Sequence, residues 1–168
     1  TQELPRDRPK LYERASEVLL HQWDFETKQN LLYPELKKYL CNIEVKDKQE
    51  ILRSVANAMQ AREKGLKANL IYREELENIL TEYLKSKRIP QREAIELTKL
   101  IIRQLRERNF ILCSLGGDSF GFVHRTFLEY FCASEFYERF NKRGYAGGIT
   151  FECLKIEVFG THWADSSW

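Results

Sequence analysis

Through most of this chain, apolar residues recur at intervals of three and four, the spacing that turns one face of a helix inward. From Asp7 to Asp24, Leu11, Tyr12, Ala15, Val18, Leu19 and Trp23 share one arc of a helical wheel. His21 falls on the opposite arc with Arg14 and Glu17 and reads as solvated surface. Asp7, with Pro9 two places on, starts this helix. Tyr33-Pro34 breaks the next stretch, and a short helix is predicted from Glu35 to Leu40. A longer one runs from about Lys46 to Lys64, with Ile51, Leu52, Val55, Ala56 and Met59 as its buried stripe and Gly65 as its stop. Leu66 to Ile71 reads as a short extended piece. Tyr72 to Lys87 is helical again, with Leu76, Ile79, Leu80, Tyr83 and Leu84 at helical spacing, and Pro90 opens a helix that reaches about Arg108.

The period changes at Asn109. Phe110-Ile111-Leu112-Cys113 and Phe120-Gly121-Phe122-Val123 are short apolar runs on either side of Gly116-Gly117-Asp118. That is a hairpin signature, because glycine admits the positive φ a tight turn requires. Arg125 to Asn141 is a helix crowded with aromatic residues, Gly144, Gly147 and Gly148 mark a loop, and Thr150 to about Val158 is a last short helix. Helix, short strand, helix, helix, hairpin is the order of a winged-helix domain, here covering roughly Lys46 to Val123 with the aromatic helix packed behind it. The predicted fold class is therefore mainly α, a helical bundle with a winged-helix domain containing one small β-hairpin.

Composition narrows the function classes. Apolar residues make up 43% and charged residues 31%, an ordinary globular balance. The formal net charge of +2 exerts no strong pull on nucleic acid or anionic lipid. No apolar run approaches the roughly 20 residues that span a bilayer, and Leu100-Ile101-Ile102 ends at Arg103. Met59 is the sole methionine, so Thr1 reads as a cut point inside a longer protein. Cys41, Cys113, Cys132 and Cys153 lie far apart, without the paired spacing of a zinc site, and read as buried thiols of a reduced cytoplasmic protein.

Two catalytic strings need weighing. Gly117-Asp118-Ser119-Phe120-Gly121 fits a nucleophile elbow, which works only on a turn from a parallel strand into a helix, within a large sheet. Here it sits in a hairpin, and His124 is too close along an extended strand to turn back on Ser119. Gly116 and Gly121 match the outer glycines of a phosphate loop, but Phe122 and Val123 stand where its Lys and Ser/Thr belong. Glu74, Glu75 and Glu77 fall on a solvated helix face. No catalytic residue and no metal ligand set is assigned.

His124 joins the second hairpin strand to the aromatic helix, at or beside its N-cap. Free backbone N–H groups and the positive dipole end make such a place receptive to an anion. A capping or packing role is the alternative reading of the same residue.

Phe122-Val123-His124-Arg125-Thr126-Phe127-Leu128-Glu129-Tyr130-Phe131-Cys132-Ala133 resembles the F-x-H-x-x-F-x-E-[FY]-[FL]-x-A segment of NACHT-type NTPases, signalling ATPases of the STAND class that include NOD-like receptors and bacterial relatives. Leu4-Pro5-Arg6-Asp7-Arg8, with Leu11-Tyr12, Leu19-Leu20 and Trp23-Asp24, is similar to the helix after the nucleotide-binding core of bacterial members. Phe159 to Trp168, with His162-Trp163, is similar to the junction into their C-terminal helical repeats. The middle helices match in order alone.

The resemblance implies a division into residues 1–45, the end of a helical domain; 46–141, the winged helix with its trailing aromatic helix; and 142–168, a junction toward the C-terminal helices. It implies that His124 contacts the β-phosphate of ADP in the full-length parent and latches the closed state, and that exchange for ATP releases the domain for oligomerisation. The P-loop, the magnesium-binding acid and the adenine contact have no match here. The implied cofactors, ADP or ATP with Mg, belong to the parent, and this piece alone is expected to be no enzyme and to hold no cofactor. Its implied partners are the upstream nucleotide-binding core, downstream helical repeats and further copies of the parent, in a setting such as bacterial defence. Two other readings stand beside it. One is a DNA-binding winged helix using Arg92, Lys99, Arg103, Arg106 and Arg108, against which the acidic wing Gly116-Gly117-Asp118-Ser119 argues. The other is a scaffold or homodimer module whose exposed aromatics meet partners.

Overall fold

A computed structural model of the chain describes residues 7–29, 34–62, 69–107, 111–142 and 144–160, without the side chains of 22–29, 34, 35, 107 and 159. The expected stop at Gly65, the residues Leu66 to Ala68, Arg108 to Phe110, and the His162-Trp163 junction lie outside the described residues, as does the side chain of Trp23. The elements are α1 (Arg8–Gln29), α2 (Pro34–Leu40), α3 (Val45–Gln60), β1 (Ile71–Tyr72), α4 (Arg73–Ser86), α5 (Gln91–Glu107), β2 (Leu112–Gly116), β3 (Ser119–Phe122), α6 (Arg125–Asn141) and α7 (Phe151–Leu154), which runs on into a π-helical turn, Lys155–Gly160. Helix, strand, helix, helix and hairpin follow in the expected winged-helix order.

The stripe of α3 is buried as its spacing requires, with Val55, Ala56 and Met59 fully enclosed. It packs against α6 and α4, and α1 lies across α3 and α6. Leu76, Leu80 and Leu84 bring α4 into the same core, joined from α5 by Ala94, Leu97, Ile101 and Leu105. Inside it, the Thr81 and Thr98 hydroxyls meet at 3.0 Å, so the buried Thr98 side chain is paired.

The wing is a three-stranded antiparallel sheet in the order β1-β3-β2, in which the expected short strand, here Ile71–Tyr72, pairs with the hairpin. Ile71 pairs with Phe120 and Tyr72 with Ser119, while Leu112 pairs with Phe122 and Cys113 with Gly121. Phe120 and Phe122 alternate inward and are almost wholly buried. Gly116 (φ +103°) and Gly117 (φ +58°) supply the left-handed turn that the glycine pair predicted.

Two expectations need correction. Val18 was placed on the buried arc of α1, yet it is 67% exposed, and Ser16 and Leu20 are the fully enclosed positions. The helix is rotated because it meets α6 through Tyr12, whose ring lies 5.9 Å from that of Phe127 and 6.0 Å from that of Tyr130. The buried Ser16 hydroxyl is satisfied by donating to Glu13 O at 2.7 Å. The cysteines are also not uniformly buried. Cys113 and Cys132 are enclosed, but Cys41 and Cys153 are at the surface. His21 is exposed, as read.

Candidate functional site

The junction from β3 to α6 is built by an apolar strand running straight into a helix. Phe122 ends β3 buried, its ring stacked at 5.8 Å on that of Phe131 one helix away. Val123 follows, half exposed, its N–H donating to Ile111 O at 2.9 Å. His124 is the N-cap of α6, extended at φ −132° and ψ 133°, and its carbonyl accepts from Phe127 N at 2.9 Å. Its ring makes no capping bond to the helix. Instead His124 Nδ1 lies 3.0 Å from Thr126 Oγ1, a hydrogen bond whose donor depends on the ring tautomer. When the Thr126 hydroxyl donates, the ring proton resides on Nε2, which has no partner among the described residues. The residue is exposed, so the ring is not packed in the core. The imidazole thus stands at the N-terminus of α6, where the helix dipole favours an anion.

The rest of the His124 segment separates into core and surface. Phe122, Leu128, Phe131 and Cys132 are buried, and Phe127 and Tyr130 are half-buried against α1. Glu129 is held by Arg125 Nε at 3.0 Å on the helix surface. Burial, joined by the charge of Glu135, pushes the Cys132 thiol up to about 12, so it is a packing group rather than a nucleophile. Of the polar side chains in the segment, His124 is exposed and bonded, among the described residues, only to its near neighbour Thr126.

A cleft of about 740 Å³ opens beside this helix, between the start of α1, α3 and α6. Thr126, Glu129 and Tyr130 face it from α6, Arg53 from α3. Arg53 Nε is enclosed without a hydrogen bond, 3.5 Å from Glu135 Oε2. Acids and bases alternate around this cleft, so it presents no single charge to a ligand.

The nucleophile-elbow string has another use. Ser119 Oγ donates to Gly116 O at 2.7 Å and pins the hairpin turn. Gly121 is required by crowding, because a Cβ there would come within 2.4 Å of Asn69 O and 2.7 Å of Leu115 Cδ1. Asn69 was missed from sequence. Its amide donates to Phe122 O at 2.8 Å and accepts from Phe122 N at 3.0 Å. A polar residue between helices reads as loop, and nothing local signals that it pairs with a strand more than fifty positions on.

Two basic positions of α5, Lys99 and Arg106, are engaged in ion pairs. Arg106 reaches the wing acid Asp118 at 2.5 Å, with Arg73 also 3.8 Å from it, and Lys99 pairs with Glu96 at 2.9 Å. Leu36 of α2 lies along the outer face of α5, beside Arg92, Lys99 and Arg103. Among the described residues no group of His, Cys, Asp and Glu is placed to hold a metal ion. No described helix is long and apolar enough to cross a membrane.

Comparison with known families supplies the deciding observation. The sequence model of a family described as a winged helix-turn-helix domain C-terminal to NACHT matches residues 8–136, more than three quarters of the chain. The chain belongs to this family. No curated protein and no solved structure matches it. The match runs from the first residue of α1 into α6. His124 and the clamp around Phe122 fall inside it.

Proposed function

We propose that this NACHT-associated winged helix is the regulatory segment of a STAND-class signalling NTPase related to NOD-like receptors, and that His124 latches its ADP-bound closed state. The observation that carries the reading is the position of His124 at the N-terminus of α6, exposed and without a capping bond of its own. Thr126 holds one ring nitrogen, and the other is open to a phosphate oxygen supplied by the nucleotide-binding core. The nucleotide with its Mg belongs to that core, and this chain contributes the imidazole and the N-terminus of α6. A hydrogen bond to a charged oxygen is worth about 1.5–3 kcal/mol, enough to bias a two-state equilibrium by one to two decades. Exchange of ADP for ATP weakens that contact, frees the winged helix and passes the change to oligomerisation. Bacterial defence and a cytoplasmic setting follow from this family reading.

The test is assembly in a chain that also carries the nucleotide-binding core. With ADP bound, His124→Ala is expected to raise the open or oligomeric fraction several-fold by light scattering after size exclusion. An oligomeric fraction equal to that of the unmodified chain overturns the latch. The segment by itself is expected to show no ATP hydrolysis and no micromolar affinity for ADP. Turnover that disappears with His124→Ala contradicts the assignment.

A further inference from the structure

We infer that Asn69 is the positioning residue for His124: its side-chain amide grips the end of β3 and thereby sets where the histidine leaves the sheet. The inference rests on the reading of His124 as a phosphate contact and adds what aims it.

The ladder between β1 and β3 covers only Ile71 with Phe120 and Tyr72 with Ser119. Beyond it, on the same edge of β3, the Asn69 amide takes over. It donates to Phe122 O at 2.8 Å and accepts from Phe122 N at 3.0 Å, the two bonds a neighbouring strand residue would make. Val123 is tied by its N–H to Ile111 O at 2.9 Å, so the backbone is held up to the residue before His124. His124 is the next residue, the N-cap of α6.

Two costs in the sequence are explained by this arrangement. Asn69 stands at φ +42°, in the left-handed region that residues other than glycine seldom enter and that asparagine tolerates best. Gly121 leaves the room for it, since a Cβ there would meet Asn69 O at 2.4 Å. The second glycine of the Gly-x-Ser-x-Gly string thus serves the approach of Asn69 to β3. Asparagine is also the side chain this place calls for. Aspartate accepts from Phe122 N but cannot donate to Phe122 O, and glycine keeps the backbone but loses both bonds.

The experiment compares Asn69→Gly, Asn69→Asp, His124→Ala and the double variant Asn69→Gly/His124→Ala. In this chain, Asn69→Gly is expected to raise amide exchange at Phe122 at least tenfold and to shift the His124 ring signals, while amides of α3 and α5 stay protected. Asn69→Asp is expected to fall between the two. In a chain carrying the nucleotide-binding core, Asn69→Gly is expected to speed ADP release several-fold, and the double variant to release it no faster than His124→Ala. Effects that multiply in the double variant mean that Asn69 acts separately from His124 and overturn the inference. So does an unshifted His124 ring with unchanged Phe122 exchange. If His124→Ala leaves ADP release unaltered, the latch falls, and the inference about Asn69 is then decided by the ring signals and amide exchange, standing if they move and failing if they do not.

Discussion

His124 shows how one residue can be tested for function apart from structure. Its ring is exposed, makes no capping bond and shares one hydrogen bond with Thr126. Replacing it with alanine is therefore expected to change the stability of this chain by no more than about 0.5 kcal/mol, as for an ordinary surface site. A loss of several degrees in melting temperature would show that the ring supports the fold. Gly121 is the opposite case. Gly121→Ala forces a Cβ against Asn69 O and Leu115, and is expected to cost about 1–3 kcal/mol in urea unfolding. The cysteines divide in the same way. Cys41 and Cys153 are expected to react with a thiol reagent in the folded chain, and Cys113 and Cys132 only on unfolding. His124 was legible in the sequence because an apolar strand run ends there and an aromatic helix begins. Asn69 was not, because its partner backbone lies far along the chain.

Two helix ends are fixed by specific bonds. At the end of α4, Ile89 N donates to Leu84 O at 3.3 Å and Arg88 N to Lys85 O at 2.9 Å, a Schellman arrangement with Leu84 and Ile89 buried together. Arg88 occupies its left-handed position at φ +62°, where glycine is the usual residue. Arg88→Gly is expected to raise stability by about 0.5–1 kcal/mol, read as a higher melting temperature; a fall would mean that the Arg88 side chain contributes more than its backbone costs. At the start of α3, Asp47 accepts from Glu44 N at 2.7 Å and from the Tyr83 hydroxyl at 2.7 Å, and pairs with Lys87 at 2.6 Å. Burial disfavours its charge, but the bonds from Lys87, Glu44 N–H and Tyr83 prevail, and the carboxyl stays below its usual range. A depressed carboxylate stabilises the fold above its unfolded pKa of about 4 and loses that contribution as pH falls through the lower folded value. Acid unfolding of Asp47→Asn is therefore expected to be less steep below about pH 4 than that of the unmodified chain, from a lower starting stability. An unchanged acid limb would show that other carboxylates control it. Periodicity read α3 and α4 correctly because a full stripe faces one core. It misread the arc of α1 because a helix touching both α3 and α6 is oriented by its contacts, with Tyr12 against α6 outweighing Val18.

At the scale of the whole molecule, the winged-helix order was legible from the change of period at Asn109 and the glycine turn. The short strand before α4 was legible too, but its pairing with β3 was not, because the two residues Ile71 and Tyr72 are too few to show a register. The same architecture argues against a role on DNA. Arg106 is bound to Asp118 at the wing, Leu36 of α2 stands beside Arg92, Lys99 and Arg103, and the net charge is only +2. At physiological salt the chain is expected to form no duplex complex tighter than about a micromolar, measured by fluorescence anisotropy. A tighter, salt-sensitive complex would restore the DNA-binding reading. The fold instead exposes a helix N-terminus whose N-cap, His124, makes no side-chain capping bond, at the end of a strand held on both edges. The most direct measurement is the rate of ADP release from a chain that joins this segment to its nucleotide-binding core. Loss of one hydrogen bond to a charged oxygen, about 1.5–3 kcal/mol, predicts release roughly ten- to a hundred-fold faster for His124→Ala, with melting of this segment unchanged. Release at the unmodified rate, with melting lowered by several degrees, would contradict the latch and make His124 a structural residue.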